Sequence, residues 1–124
     1  MLDGFSKIGN LVQRASEHKM HSLAITDHGG LYGAIDFYKT SIQAGIKPII
    51  GCEMYVAPGS MHDKNPNEKT PFHMTVLAKD NRGYKNLIKL VSDSHLEGFY
   101  YRPRIDRELL EQYHEGLIVL SGCP

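Results

Sequence analysis

Side chains that can bind a metal ion lie at the ends of several apolar segments of this chain. They are His28 with its neighbour Asp27, Glu53, His73 and Cys123. Because the carboxyl ends of parallel strands converge at one edge of a sheet, we expect side chains at such ends to lie close together. Imidazole, carboxylate and thiolate groups together suit zinc or a similar divalent cation. The sequence therefore predicts a metal centre at the edge of a sheet.

Each of these residues also has a structural explanation. His28 precedes two glycines and either ligates a metal or simply lies in a turn. Glu53 either binds a cation or pairs with a lysine, since a bare carboxylate after an apolar segment is costly. Asp27 either caps the next helix or orients His28. His73 and Cys123, taken singly, are structural residues, so the prediction depends on the combination.

From the residues alone, the remaining acidic and cysteine candidates are interpreted as structural, and the remaining histidines as structural or solvated. Asp3 is interpreted as a helix cap. Cys52 should face the opposite side of its strand from Glu53 and act as a small core residue. The other histidines lie on helix ends, helix faces or a polar loop, and they are His18, His21, His62, His95 and His114.

An aromatic and basic segment occupies residues 100–107. Arg102 and Arg104 can contact phosphates there, and the neighbouring tyrosines can stack on bases. The alternative is a loop that packs its tyrosines onto the domain. Bulk charge does not favour nucleic acid, because 14 Lys and Arg residues balance 14 Asp and Glu residues. Nucleic-acid binding would therefore depend on this local patch.

Length and composition indicate one soluble domain. The 124 residues are within the size of a single domain, and an apolar content of 41% is enough for a core. No apolar run approaches the roughly 20 residues of a membrane span, and no secretory leader is visible. The two cysteines are far apart and form no disulfide framework. These features predict a cytoplasmic protein with no membrane association.

The elements that would position the candidate ligands alternate between helix and strand. Helical periodicity predicts helices over residues 6–19, 31–44, 84–95 and 106–113, and apolar segments predict strands at 22–26, 47–57, 72–79 and 117–121. Residues 80–83 are predicted to form a turn, and residues 58–71 and 98–104 to form loops. This alternation predicts an α/β fold with mostly parallel strands.

His73 lies near the start of its predicted strand and not at its end, which conflicts with a ligand at the shared edge. A hairpin removes the conflict, because an antiparallel strand begins at the end where its partner finished. We therefore expect the strand at 72–79 to run antiparallel to the strand at 47–57. His73 and Glu53 would then lie at the same end of the sheet.

Several motifs of this chain resemble one family. They are Leu2-Asp3-Gly4, residues 24–29, residues 44–53, residues 98–104 and Ser121-Gly122-Cys123. Together they resemble the PHP (polymerase and histidinol phosphatase) domain found at the N-terminus of bacterial DNA polymerase III alpha subunits, over the full length of the chain. The segment Gly98-Phe99-Tyr100-Tyr101 points to the polymerase branch of the family and away from histidinol phosphatases.

The resemblance implies a partial, distorted (β/α)7 PHP barrel with up to three divalent metal ions at its carboxyl edge. The ligands it implies are Asp3, His28, Glu53, His73 and Cys123, with zinc or manganese bound there and magnesium used by the parent polymerase. The family's His-x-His pair is expected before Leu-Asp-Gly and its Asp-x-His pair after Cys123, and neither pair is present at those places in residues 1–124. We therefore expect residues 1–124 to be a single incomplete PHP domain that binds metal poorly alone.

The resemblance also implies a function for the parent protein. The parent would be a DNA-directed DNA polymerase that replicates DNA and contacts DNA and other replicase subunits. In intact members the PHP domain resembles a metal-dependent phosphoesterase that acts as a 3′–5′ proofreading exonuclease, whereas this chain alone would be inactive. One alternative is a non-catalytic scaffold of the polymerase. A stand-alone PHP phosphatase is disfavoured by the polymerase-type aromatic segment.

Overall fold

The computed structural model of the protein describes residues 4, 6–67 and 70–122. Asp3 and Cys123 lie outside the described residues. The described elements follow one another as α1 (Ile8–Glu17), β1 (Ser22–His28), α2 (Ala34–Gln43), β2 (Lys47–Val56), β3 (Phe72–Ala78), α3 (Asn81–Leu96), β4 (Arg104–Ile105), α4 (Arg107–Tyr113) and β5 (Leu117–Ser121).

The five described strands form one sheet in the order β1-β2-β3-β5, and β4 pairs with the end of β2. β1 and β4 run parallel to β2, whereas β3 runs antiparallel to β2 and β5 antiparallel to β3. Four of these strands therefore point in one direction and β3 points in the other. The predicted α/β fold with mostly parallel strands is confirmed, and so is the predicted hairpin.

The central strand β2 separates a core from a more open face. Cys52 and Met54 are fully buried in the main hydrophobic cluster, together with residues of α3 and α4 such as Leu87, Leu90 and Leu109. Because side chains alternate along a strand, Glu53 and Tyr55 project from the opposite face. The helices α3 and α4 therefore support the back of β2 and leave its other face available for chemistry.

The turn predicted at residues 80–83 is wrong, because α3 already begins at Asn81. Asp80 is the N-cap of this helix, and its Oδ1 accepts a hydrogen bond from the Gly83 amide at 2.8 Å. Gly83 lies against the backbone of Gly116, where a Cβ atom would overlap the Gly116 carbonyl. The glycine that suggested a turn is thus required by close packing inside a helix.

Two further differences concern strands. β1 continues to His28, two residues beyond its predicted end, because residues 27 and 28 still pair with Cys52 and Glu53. The short strand β4 was not predicted, and it pairs Arg104 and Ile105 with the end of β2. Both differences extend the sheet at the edge where the candidate ligands lie.

The start of α4 matches the sequence prediction and also anchors a loop. Asp106 is buried and caps α4, since its Oδ1 accepts a hydrogen bond from the Leu109 amide at 2.9 Å. Its Oδ2 accepts a second hydrogen bond from the Met61 amide at 3.0 Å. One carboxylate therefore fixes both the helix and the segment that follows β2.

At the outer edge of the sheet, β5 presents apolar side chains to solvent. Ile118, Val119 and Leu120 are 40–49% exposed, although they lie within a paired strand. Within the described parts of the chain, none of the helices has the length and apolar character needed to cross a bilayer.

Candidate metal centre

Glu53 and two histidines meet at the end of the sheet where β1 and β2 finish. His28 lies beside Glu53 in the parallel register of β1 and β2, and His73 lies beside Tyr55 in the antiparallel register of β2 and β3. The His73 Nδ1 atom is 2.7 Å from Glu53 Oε1, and the His28 Nδ1 atom is 3.4 Å from Glu53 Oε2. Each carboxylate oxygen therefore faces one imidazole ring.

This cluster is open to solvent on one side. The side chains of His28, Glu53 and His73 are 43%, 22% and 35% exposed. Glu53 and His73 are thus partly buried, whereas His28 is exposed. A cation or a phosphate group can therefore reach the carboxylate without rearrangement of the sheet.

The donor chemistry of the cluster fits a divalent cation such as zinc or manganese, which binds imidazole and carboxylate ligands. Both Nδ1 atoms, however, are directed at Glu53 and not at a common point between the three side chains. Among the residues that the structure describes, no group of three His, Cys, Asp or Glu side chains is arranged to hold a metal ion. The described residues thus supply part of a coordination shell, and their role as ligands stays a prediction.

Asp27 contacts the backbone at the start of α2 but does not form a side-chain cap of that helix. Its Oδ2 accepts a hydrogen bond from the amide of Gly33, the N-cap residue of α2, at 2.8 Å. In the sheet it pairs with Cys52, one position away from the pair formed by His28 and Glu53. An effect of Asp27 on the orientation of His28 stays a prediction.

Tyr55 is a residue of this site that the sequence interpretation missed. Its hydroxyl lies 3.4 Å from the Nδ1 atom of His28, and its ring meets the ring of His73 edge to face with centroids 5.0 Å apart. Only 6% of Tyr55 is exposed, so the surrounding fold holds the ring in place. Its position two residues after Glu53 in a strand was the available signal, because such residues share a face.

Arg102 brings a positive charge to the same site. Its guanidinium lies 5.6 Å from the ring centroid of Tyr55, within the range of a cation–π interaction. Arg102 is exposed to solvent, so its charge can also be reached by a phosphate. A nucleic-acid contact by Arg102 stays a prediction.

Arg104 lies inside the fold, and only 3% of it is exposed. Its Nε donates a hydrogen bond to the Gly98 carbonyl at 3.0 Å, and its Nη2 donates to the carbonyls of Met61 and Asp63 at 2.8 and 2.9 Å. This arrangement argues against the nucleic-acid contact predicted for Arg104, because its donors are used within the domain. The Arg104 guanidinium instead ties residues 61, 63 and 98 together inside the fold.

Cys52 is a core residue, as its position beside Glu53 in a strand indicated. It is fully buried, and burial raises the pKa of its thiol to about 12. The thiol therefore stays protonated at neutral pH and cannot act as a thiolate ligand. Its side chain belongs to the hydrophobic cluster behind the sheet.

The sequence of the chain matches a known protein family over its full length. The PHP domain family matches the chain over residues 1–124. The chain belongs to the PHP domain family.

The relatives of this PHP domain include alpha subunits of DNA polymerase III. It is 53% identical to the protein of Chlamydia pneumoniae over 125 residues, 53% identical to that of Borreliella burgdorferi over 125 residues, and 48% identical to that of Thermus aquaticus over 128 residues. Each match covers 99% of this chain but only 10–11% of the relative. The chain thus spans roughly a tenth of the length of these relatives.

Solved structures with a similar fold come from two other bacteria. One is described as a metal-dependent phosphoesterase from Bifidobacterium adolescentis, with a TM-score of 0.52 and 20% identity over 76% of this chain and 29% of that protein. The other is an amidohydrolase from Chromobacterium violaceum with bound sulfate and no metal, with a TM-score of 0.53 and 21% identity over 76% of this chain and 30% of that protein. At these identities the likeness supports the fold alone, in agreement with the predicted partial barrel.

Proposed function

We propose that this PHP domain is part of the alpha subunit of a bacterial replicative DNA polymerase, a DNA-directed DNA polymerase. Identities of 48–53% to DNA polymerase III alpha subunits support this assignment. The parent would act on DNA in the cytoplasm with other replicase subunits and would use magnesium for synthesis. Residues 1–124 would form a single incomplete PHP domain within it.

The site at the sheet edge is proposed to be a metal-dependent phosphoesterase centre that acts as a 3′–5′ proofreading exonuclease. The observation that carries this proposal is the carboxylate of Glu53 held between His28 and His73 at a solvent-accessible edge. These three residues would hold the metal, and family resemblance adds Asp3 and Cys123. Bound divalent cations would supply an activated water and charge stabilisation of the leaving 3′-oxygen.

Other residues of the site have roles that follow from their contacts. Tyr55 would help to orient both imidazoles, because its hydroxyl lies beside His28, its ring packs against His73, and it is itself buried. Arg102 is exposed beside Tyr55, where a guanidinium can pair with the phosphate of a DNA strand. Local charge at this position would attract DNA even though the formal net charge of the chain is zero.

The proposal is tested with Glu53→Gln in the full-length polymerase subunit. Removal of 3′-terminal nucleotides from a labelled single strand is measured with manganese or zinc, alongside primer extension with magnesium. Loss of a residue that only orients a metal ligand costs about 10–100-fold, so loss of a direct ligand should lower exonuclease activity by at least about 100-fold. Primer extension should be unchanged.

Glu115→Gln is the matched control. Glu115 is an exposed glutamate that pairs with Arg82 and precedes β5, the outer strand, which β3 separates from β2. The same change of charge there should leave exonuclease activity unaltered. Equal activity in the Glu53→Gln variant and the unmodified protein would refute the proposed centre.

A non-catalytic scaffold is the second candidate. It is favoured by the observation that the described side chains do not by themselves form a group able to hold a metal ion. A scaffold predicts that the unmodified protein releases no nucleotides with any divalent metal, while Glu53→Gln still lowers the melting temperature of the domain. Release of phosphate from a monoester, with no attack on single-stranded DNA, would instead indicate a phosphatase.

A further inference from the structure

We propose that His95, near the end of α3, is a positioning residue for His28, an inference that rests on the metal site proposed above. The His95 Nε2 atom lies 2.8 Å from the carbonyl oxygen of Gly29, across 66 positions of the sequence. A carbonyl oxygen only accepts hydrogen bonds, so the ring donates through Nε2–H. His95 therefore donates a hydrogen bond to Gly29, the residue that directly follows His28.

Gly29 is fixed through both of its backbone polar groups. Its amide donates a hydrogen bond to the Glu53 carbonyl at 2.9 Å, and its own carbonyl accepts the hydrogen bond from His95. Its φ angle is +63°, and a Cβ atom would lie 2.8 Å from Pro103 Cγ and 3.0 Å from Tyr55 Cε2. The turn after His28 is thus held by β2 on one side and by α3 on the other.

Of the three side chains at the sheet edge, only His28 depends on this turn. Glu53 lies within β2, where β1 pairs on one side and β3 on the other. His73 is paired with Tyr55 within β3. His28 is the last residue of β1, so the backbone that follows it is held by the two hydrogen bonds of Gly29, one to β2 and one to His95.

A simple structural role for His95 makes a different prediction. If the hydrogen bond only attached α3 to the sheet, its loss would lower the stability of the protein and leave the metal affinity of the folded state unchanged. A positioning role predicts a loss of affinity that depends on the presence of His28. The two roles are therefore separated by measuring affinity and stability in the same variants.

The experiment uses zinc binding to the full-length polymerase subunit, measured by competition with a chromophoric chelator. His95→Ala should weaken zinc binding about 10–100-fold, the usual effect of losing a partner that orients a ligand. His95→Gln should restore most of the affinity, since its side-chain amide can donate from nearly the position of Nε2. Melting temperature in the presence of EDTA provides the stability measurement.

His114→Ala is the matched control, because His114 also bonds a backbone carbonyl near a helix end, that of Glu111 at 2.7 Å. It should leave zinc affinity unchanged. In a double-mutant cycle, the effect of His95→Ala should vanish when His28 is already alanine and persist when His73 is alanine. Zinc affinity unaffected by His95→Ala, or lowered equally with and without His28, would overturn the proposal.

A metal-independent measurement keeps this inference separate from the proposed function. Hydrogen exchange at the Gly29 amide, followed by mass spectrometry, should accelerate in His95→Ala and return towards the original rate in His95→Gln. Failure of the unmodified protein to bind zinc would refute the proposed metal site. Unchanged exchange at Gly29 would independently show that His95 does not hold the turn.

Discussion

Replacing Arg104 by alanine should destabilise the domain severely, whereas the same change at Arg102 should not. Hydrogen bonds from a charged donor contribute about 1.5–3 kcal/mol each. The bonds from Arg104 to the carbonyls of Gly98 and Met61 are buried, and the bond to Asp63 is partly buried. The two buried bonds alone give an expected loss of about 3–6 kcal/mol.

That loss is large relative to the total stability of a domain, which is about 5–15 kcal/mol. Arg102 is exposed, and a surface substitution usually changes stability by no more than about 0.5 kcal/mol. Arg104→Lys should recover only part of the loss, because a single ammonium group cannot match the fixed geometry of the guanidinium. Urea unfolding followed by circular dichroism gives the free energies from the midpoints and slopes.

For DNA binding we expect the opposite order, with a larger effect from substitution of Arg102 than from substitution of Arg104. Arg102→Ala should weaken binding of single-stranded DNA and reduce the salt dependence of log K by about 0.7, the value expected for one lost phosphate contact. The mild variant Arg104→Lys should leave that salt dependence unchanged under conditions where it is folded. Equal destabilisation by the two alanine variants, or a loss below about 1 kcal/mol for Arg104→Ala, would refute the structural reasoning.

Two further predictions concern residues on the two faces of β2. Tyr55→Phe removes only the hydroxyl beside His28 and should weaken zinc binding about tenfold. This is the low end of the effect expected for a residue that orients a metal ligand, because the contact is 3.4 Å long. Tyr113→Phe on α4 is the control in the same chelator assay. In a Cys123→Ser background, Cys52 should resist iodoacetamide at pH 8 until the protein unfolds, because the pKa of its buried thiol is about 12. Because the pKa of Cys52 rises from 9.0 to about 12 on folding, the protonated thiol contributes fully to the free energy of unfolding below pH 9.0. That contribution is lost as the pH rises through about 12, and urea unfolding at several pH values would detect the loss.

The sequence was sufficient to predict which described ligand candidates meet. Strand ends, side-chain alternation and the reversal of an antiparallel hairpin are local rules, and they correctly brought His28, Glu53 and His73 to one edge. The α/β fold followed from the alternation of helix and strand for the same reason. Asp3 and Cys123 lie outside the described residues, so the sequence prediction for them stands as it was made.

What could not be predicted depends on contacts between distant segments. Arginine is usually a surface residue, so the burial of Arg104 was not expected. Its partners Met61 and Asp63 are 43 and 41 positions away and accept its hydrogen bonds through backbone carbonyls, which carry no sequence signal. His95 was assigned a structural or solvated position, and its contact with Gly29 spans 66 positions. The start of α3 after Asp80 was not predicted, because Gly83 suggested a turn but in fact allows close packing against Gly116.

The pairing of β2 has a consequence for how long a complex formed at this edge would last. β2 is held by neighbours on both sides around Glu53, whereas His28 is the last residue of β1. Local opening usually begins at such strand ends and requires far less free energy than global unfolding. Residence times should therefore depend on opening at the end of β1, which the two hydrogen bonds of Gly29 oppose, and strengthening the distant core would prolong the life of the fold without slowing release from its edge.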